Sequence, residues 1–344
     1  MNDEYSNDIQ FENGDLKVSP ILVLKRIIED NYPPGTFIKE IIQNADDAGA
    51  KSLHLGLYPG WPNANNPLLR SPLILALNDG DFRQKDRGAI NLLYAGAKAD
   101  DNEKIGKYGL GLKSVFNLSE CAFILASAGY EATGTRPFFM PLSPWGNTIK
   151  PERAQWTKHY KESGELLFSM INQWQNTLKR WFCVIAPLRT RELVKGIDPI
   201  CQSYPLPGEI FNDNLSSDIA LMLPMLAHIE HVVIWSWVDN LPEKSKEIMI
   251  DASSEKRYQL DKLEPAKTHF IHGCVITKNK TGISNTLIYA GCELILSEEL
   301  VAPLRKDESW PTINVLDSAG EPITKPVDAR PHTASVFVRP STNT

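Results

Sequence analysis

Apolar residues recur at helical spacing close to the start of the chain. They form one continuous stripe, made up of Ile38, Ile41, Ile42, Ala45 and Ala48. Glu40, Asn44 and Asp47 follow one another at i, i+4 and i+7 and share a second stripe of the same helix. The pattern predicts an amphipathic helix. Its polar edge either lines a cavity or, as on many surface helices, faces solvent.

The ends of this helix carry signals of their own. Thr36 is placed to cap the first turn, and Gly49 to end the helix in a left-handed turn. Similar patterns predict helices at 19–30, 165–182 and 216–227, and strands at 52–58, 73–77, 121–126, 184–188, 231–237, 268–277, 287–296 and 332–338. Weak periodicity predicts an irregular segment at 128–165, and charged residues predict connections at 239–247 and 252–267. The chain therefore combines helices with strands.

Asn78, Asp79 and Gly80 directly follow the apolar strand predicted at 73–77. Side chains at this point would project from a sheet edge toward the helix that carries Glu40. The same tripeptide is common in ordinary turns between a strand and a helix. By itself it does not define a site.

A glycine-rich segment lies further along the chain. Gly106, Gly109 and Gly111 are spaced at i, i+3 and i+5, which lets the backbone turn tightly and brings its amides close to phosphate oxygens. The segment has neither the surroundings of a dinucleotide fingerprint nor the Walker order of glycine, lysine and serine. Ser114 is placed to bond a phosphate, whereas Lys113 either joins it or points outward.

In this order, the three blocks resemble the GHKL superfamily, which includes gyrase B, MutL, histidine kinases and the ninety-kilodalton heat-shock chaperone. The sequences of the three motifs are most similar to those of the sacsin-type, chaperone-like ATPase domain. Glu40 and Asn44 look like the N box, residues 78–80 like the first glycine motif and 106–114 like the second. The resemblance covers about 20–127, with weaker similarity at 182–189 and 219–235.

The resemblance implies an α+β fold, namely a two-layer α/β sandwich of the Bergerat type with a second, smaller α/β region. It also implies binding of ATP with Mg²⁺. Glu40 would act as the base that activates water, and the side-chain oxygen of Asn44 would coordinate Mg²⁺. The phosphates would meet the second glycine motif, through Gly106, Lys107, Gly109, Leu110, Gly111, Lys113 and Ser114.

The adenine side of the resemblance is ambiguous. Asp47, Asn78, Asp79 and Gly80 are its candidates. The superfamily pattern places an aspartate two residues before the glycine, and Asn78 stands at that position here. An asparagine oxygen accepts the same hydrogen bond more weakly than a carboxylate does, so both Asn78 and Asp79 stay candidates.

The resemblance assigns residues 83–107 to a lid that closes over bound nucleotide. Lys98 in that segment either meets a phosphate or is a solvated surface lysine. Only about 20 residues precede the first predicted helix, too few for a phosphoacceptor hairpin, so ATP hydrolysis is favoured over kinase activity. A non-hydrolysing nucleotide-sensing module and an ATPase subunit that handles nucleic acid are the alternatives.

Length and resemblance together predict the domain organisation. A chain of 344 residues with 42% hydrophobic residues suggests about two domains. We expect a flexible arm at 1–16, an ATP-binding domain at 17–194, and a transducer-like or interaction region at 195–344. Lys325 and Arg330 are conceivable phosphate contacts there, although solvated surface charges are the commoner case. The chain is expected to be the front part of a longer polypeptide.

Composition narrows the partners. A formal net charge of -6 gives no indication of nucleic acid. No apolar run is long enough to span a bilayer and no signal peptide is recognisable, so a cytoplasmic location is expected. Expected partners are ATP and ADP, a protein partner or the C-terminal continuation, and, through the resemblance, a second copy in a nucleotide-dependent homodimer. The five widely spaced cysteines suggest buried thiols and no metal site.

Overall fold

The computed structural model describes residues 20–32, 35–90, 111–145, 156–175, 178–252, 254, 268–295, 312–316, 322–326 and 333–338. Its α-helices are α1 Pro20–Asn31, α2 Thr36–Asp47, α3 Gln84–Ile90, α4 Tyr160–Trp174, α5 Pro207–Ile210 and α6 Leu215–Met222. Short 3₁₀ helices lie at Pro67–Arg70, Gly111–Asn117 and Leu223–Met225. In the part of the chain given above, no helix has the length and apolar character needed to cross a membrane.

Most strands join one sheet of ten, in the order β12-β9-β8-β7-β6-β1-β2-β5-β3-β4. The strand bounds are β1 Ser52–Tyr58, β2 Leu73–Asn78, β3 Ala122–Ala126, β4 Phe138–Leu142, β5 Phe182–Pro187, β6 His231–Val238, β7 Leu241–Ile250, β8 Thr268–Asn279, β9 Gly282–Ile295, β10 Thr312–Leu316, β11 Pro322–Pro326 and β12 Thr333–Val338. Neighbouring strands are antiparallel except for β1 and β6, which are parallel. β10 and β11 form a separate hairpin. The molecule is therefore a mixed α+β structure, as expected.

The part of the sheet that runs from β1 through β2 and β5 to β3 is its most apolar part. Every residue of β2 and of β3 is buried, which indicates that both faces of these strands are covered. β1 lies between β2 and β6, with Leu53 opposite Asn78 on one side and Val232 on the other. Strands from both sides of the expected domain boundary at 194/195 thus belong to the same sheet, and β6, from the second region, pairs directly with β1.

Helix α2 differs from the sequence prediction at its start and agrees with it at its end. Gly35 is the N-cap residue, in a left-handed conformation with φ 92°, and it has no side chain to cap the first turn. The N-cap position predicted for Thr36 is thus held by Gly35, and Thr36 is the first helical residue. Gly49 has φ 75°, the left-handed conformation predicted for it.

Three other predictions fail in the described residues. The predicted connection at 239–247 is occupied by β7, which pairs with β6 and β8. The predicted irregular segment at 128–165 contains β4, which pairs with β3. The helix predicted at 165–182 ends at Trp174, and Trp181, predicted to lie on that helix, is buried just before β5.

Candidate functional site

The polar edge of α2 faces the 3₁₀ helix Gly111–Asn117. A β-carbon on Gly111 would collide with Oε2 of Glu40 and would lie 3.4 Å from Nδ2 of Asn44. Both side chains are partly buried. The N-box residues and the last glycine of the second motif, far apart in sequence, are therefore direct neighbours. The absence of a side chain at position 111 is what allows this approach.

Three polar residues of this 3₁₀ helix are buried, namely Lys113, Ser114 and Asn117. Ser114 is fully buried, and its Oγ has no hydrogen-bond partner among the described residues. Lys113 is 2% exposed and donates from Nζ to the carbonyl of Ile90, the last residue of α3. The sequence left two positions open for Lys113, and the structure contradicts the one in which its side chain points outward. Burial lowers the pKa of its ammonium to about 8.

The first glycine motif packs on the C-terminal end of α2. A β-carbon on Gly80 would lie 2.9 Å from Cβ of Ala48, which is closer than two carbons normally approach. The amide of Asp81 donates to the carbonyl of Ala48 over 2.8 Å. Gly80 thus brings the end of β2 against the same helix that carries Glu40 and Asn44.

Asn78 and Asp79 have different partners. Oδ1 of Asp79 accepts from the amides of Lys51 (2.8 Å) and Ser52 (3.0 Å), which fixes the entry into β1. Oδ1 of Asn78 accepts from the amide of Gly80 over 3.0 Å. The contacts of Asp79 are those of a structural residue, whereas Asn78 stays within its own motif at the end of β2.

The remaining site residues predicted from sequence divide into two groups. Asp47 lies in the last turn of α2 and is partly buried. The others lie outside the described residues, namely Lys98, Gly106, Lys107, Gly109 and Leu110. The predicted lid at 83–107 is described only as far as Ile90, where it contains α3.

Tyr32, which the sequence analysis did not assign, lies at the entrance to α2. Its side chain is 9% exposed, and its carbonyl accepts from Nδ2 of Asn117 over 3.0 Å. Burial, and secondarily the negative charge of Glu40, raise the pKa of its phenol to about 12. Tyr32 therefore stays a neutral donor near the carboxylate, and its carbonyl joins the end of α1 to the 3₁₀ helix.

Asp46 is a second residue that the sequence analysis missed. It is 7% exposed, and its carboxylate accepts from the amides of Ala227 (2.9 Å), His228 (2.7 Å) and Ile229 (3.0 Å). The helix that carries Glu40 is thereby fixed to the segment that leads into β6. An aspartate four residues after Ile42, on the apolar stripe, was the available signal.

Arg189 is the third missed residue. It is 1% exposed, and its Nε donates to Oε1 of Glu120 over 2.5 Å. Its other nitrogens donate to the carbonyls of Phe116, Asn117, Ser119 and Ser203, at distances of 2.6–3.2 Å. Arg189 thus donates hydrogen bonds to the last carbonyls of the 3₁₀ helix and fixes the C-terminal end of that helix.

The residues present fit a magnesium-bound nucleoside triphosphate. Gly111 provides a position where backbone approaches carboxylate and amide groups without an intervening β-carbon. The buried hydroxyl of Ser114 is a donor without a partner among the described residues. A carboxylate and an amide oxygen are ligand types that Mg²⁺ prefers. Within the same residues, no group of three His, Cys, Asp or Glu side chains is arranged to hold a metal by protein ligands alone.

Comparison with known proteins defines the family. The profile of the Sacsin domain matches residues 18–249, a range that includes α1 to β6, most of β7 and all residues of the three motifs. The chain therefore belongs to the Sacsin domain family.

One relative illustrates the similarity. The human protein Sacsin is 30% identical over 226 residues, which is 61% of this chain and 5% of the human protein. The chain thus spans only a small part of the length of that relative.

Proposed function

We propose that this chain binds ATP with Mg²⁺ in the manner of the GHKL superfamily and hydrolyses it slowly to ADP and phosphate. The observation that carries the proposal is the contact between Gly111 and the side chains of Glu40 and Asn44. It joins the two motifs that such a site needs, although they are distant in sequence. Membership of the Sacsin domain family supports the same assignment.

Each residue at this contact has a proposed role. Asn44 would hold Mg²⁺, which supplies positive charge to neutralise the charge that develops on the phosphate oxygens. Glu40 would orient a water molecule and accept its proton. Tyr32, as a neutral donor near Glu40, would keep that carboxylate in position. Ser114 would donate its hydroxyl to a phosphate, together with the backbone amides of the second glycine motif.

We assign the contact with the adenine ring to Asn78 in preference to Asp79. Oδ1 of Asp79 is already engaged by two backbone amides at the start of β1, so its carboxylate has a structural task. Asn78 retains an amide group at the end of β2, next to the helix with the N box. An amide can both donate to and accept from a purine edge.

Nucleotide binding would act as a switch. Lys113 connects the 3₁₀ helix to α3, the first part of the proposed lid, through the carbonyl of Ile90. Asp46 connects α2 to the segment before β6. Lid closure would therefore alter the contacts around Lys113 and around Asp46. This change would in turn alter the docking of a protein partner, of a C-terminal continuation or of a second copy of the chain.

Phosphate release from ATP in the presence of magnesium tests the proposal. We expect slow turnover in the wild type, retained nucleotide binding without turnover in Glu40→Ala, and loss of magnesium-dependent binding in Asn44→Ala. Glu165→Ala, an exposed position on α4, is the matched control and keeps wild-type turnover. Equal turnover in the wild type and in Glu40→Ala would refute the assigned base. Binding without any turnover would instead identify a nucleotide-sensing module.

A further inference from the structure

A cavity lies at the opposite end of β1 from the candidate nucleotide site. Asn78 pairs with Leu53 near the start of β1, whereas Tyr58 ends that strand. At a rise of about 3.3 Å per residue, the two ends are roughly 20 Å apart. The cavity has a volume of about 380 Å³ and lies between the end of β1, helix α4 and the hairpin of β6 and β7.

Aromatic rings that pack on one another form the floor of this cavity. The ring of Tyr58 lies 4.4 Å from that of Trp61 and 5.5 Å from that of Trp237, between ring centroids, and Trp174 lies 5.4 Å from Trp237. Such contact distances leave no room for a ligand between the rings, which excludes an aromatic cage that encloses an ammonium group. Tyr58 and Trp174 are themselves buried, so the partly exposed rings of Trp61 and Trp237 provide the surface on which an apolar ring can lie.

The position of Trp237 depends on a glycine. A β-carbon on Gly56, in the middle of β1, would lie 2.8 Å from Cζ3 of Trp237. A glycine inside a strand marks a close approach of another group, and here that group is the indole of the cavity floor. The sequence thus gives up strand stability at Gly56 to accommodate the tryptophan.

The polar side chains of the lining carry no formal charge, and all of them can donate a hydrogen bond. Gln173 and Ser169 come from α4, Asn63 from the loop after β1, and Asn240 from the β6–β7 turn. Nε1 of Trp174, which can only donate, has no hydrogen-bond partner among the described residues. No carboxylate contributes to the lining, and burial raises the pKa of the Tyr58 phenol, which remains a neutral donor.

The turn that carries Asn240 is conformationally unusual. Asp239 and Asn240 have φ values of 49° and 63°, the left-handed conformation at both positions of a two-residue hairpin turn. Glycine adopts this conformation at lower cost than asparagine does. The amide at position 240, which lines the cavity, is therefore present at a small cost in stability.

From these features we infer that the cavity binds a proline-rich segment of a protein partner in the polyproline II conformation. Prolyl rings lie flat on tryptophan and tyrosine, and this conformation leaves every backbone carbonyl free to accept. Proline has no amide N–H, so such a ligand brings acceptors and few donors, which suits the unpartnered indole N–H of Trp174. A sugar would bring donors as well as acceptors, and for its hydroxyl groups the lining offers amide and hydroxyl oxygens but no carboxylate. The inference does not depend on nucleotide binding at the other end of the sheet.

Titration of the full chain with fluorescently labelled decaproline tests the inference by polarisation. We expect saturable binding below about 1 mM. Trp61→Ala should weaken it about tenfold or more, as for an aromatic anchor. Asn240→Gly should weaken it about threefold to tenfold, through loss of hydrogen bonds. The second variant also relieves the left-handed turn, so it stays folded even if Trp61→Ala does not, which thermal melting checks.

Two control variants establish whether decaproline binds at this cavity. Leu241→Ser, at an exposed apolar position beside the same turn, should bind decaproline within about twofold of the wild type. Glu40→Ala should bind it equally well, because its substitution lies at the nucleotide site. Absence of saturation, unchanged binding in both cavity variants, or binding of maltohexaose in place of the peptide would overturn the inference.

Discussion

The carboxylate of Glu40 lies directly against the α-carbon of Gly111, so that even a methyl group at position 111 would collide with Oε2. Glu40 lies on α2, the helix predicted as the N box. Gly111 is the last glycine of the second motif, some seventy positions later. This contact turns two separate sequence motifs into one site. The candidate function depends on its geometry.

Substitution Gly111→Ala tests this contact. The added methyl group should displace the Glu40 carboxylate, and a shift of about 1 Å at a reacting group can cost roughly a hundredfold in rate. We expect magnesium-dependent phosphate release to fall by about that factor. Gly208→Ala is the control, since a β-carbon on Gly208 meets nothing within 4 Å. Similar rates in the two variants would contradict the assigned geometry.

Substitution Asp46→Asn tests the connection between α2 and the segment before β6. The neutral amide has one oxygen in place of two, so it cannot accept all three backbone amides that the carboxylate now holds. We expect the free energy of unfolding to fall by about 2 kcal/mol in urea titrations. Asp198→Asn removes a surface ion pair with Lys25 and should change it by less than about 0.5 kcal/mol. Equal effects would mean that Asp46 is not a buried anchor.

Substitution Arg189→Met tests the buried ion pair below the 3₁₀ helix. It leaves Glu120 buried without its cation, which typically costs about 3–5 kcal/mol. Arg191→Met, two residues later at an exposed position beside the ring of Tyr204, serves as the control. Chemical unfolding should show a large loss for the first variant and little for the second. A loss below about 1 kcal/mol for Arg189→Met would show that water or another cation compensates.

The acid sensitivity of the fold should depend on His54. Burial, with the positive charges of His231 and Lys244 as lesser causes, lowers its pKa from 6.5 to about 4. Nδ1 of its ring accepts from Nε1 of Trp235 and faces Nε2 of Gln175, each over 3.1 Å. The neutral ring is therefore the form that the folded protein stabilises.

The folded pKa lies below the unfolded value, so this contribution is complete above pH 6.5 and is lost as the pH falls toward 4. The expected loss is about 3 kcal/mol. His54→Asn keeps an acceptor near Nδ1 but cannot be protonated, so its stability should fall less between pH 7 and 4. Unfolding midpoints across this range measure the difference, with the surface variant His159→Asn as the control. Parallel pH profiles for the wild type and His54→Asn would disprove the assignment.

The sequence predicted the elements that show strong periodicity. Strand β1 has the bounds that its alternation predicts, and the apolar stripe of α2 is buried as expected, with Ile41 and Ile42 nearly inaccessible. Periodicity misled where an apolar stripe continued past the end of its helix. Trp181 fits the stripe of α4, but it is buried in the connection to β5.

Strands at half-buried positions were harder to predict. β7 carries Glu243, Lys244 and Lys246, charges that suggest a solvated loop, yet these residues pair with β6 in the sheet. β4 includes Pro141 at the edge of the sheet, where the missing amide costs no ladder bond. Local composition does not reveal such pairing, because it depends on a neighbouring strand elsewhere in the chain.

The motifs of the candidate site could be predicted from the sequence, but the contacts between them could not. The spacing of Glu40 and Asn44 defines a helix edge, whereas the proximity of Gly111 results from the packing of α2 on the 3₁₀ helix. Asn78 and Asp79 were equivalent candidates in the sequence, which could not show that their hydrogen-bond partners differ. Arg189 gave no sign of its role, since its partners are mostly backbone carbonyls, which every sequence possesses.

Calorimetric titration of the full chain with a non-hydrolysable ATP analogue, with and without magnesium, is the most direct test of the central claim. The account predicts saturable binding at one site, dependence of that binding on magnesium, and loss of the magnesium dependence in Asn44→Ala. Absence of binding by the wild type at millimolar analogue with magnesium would contradict it.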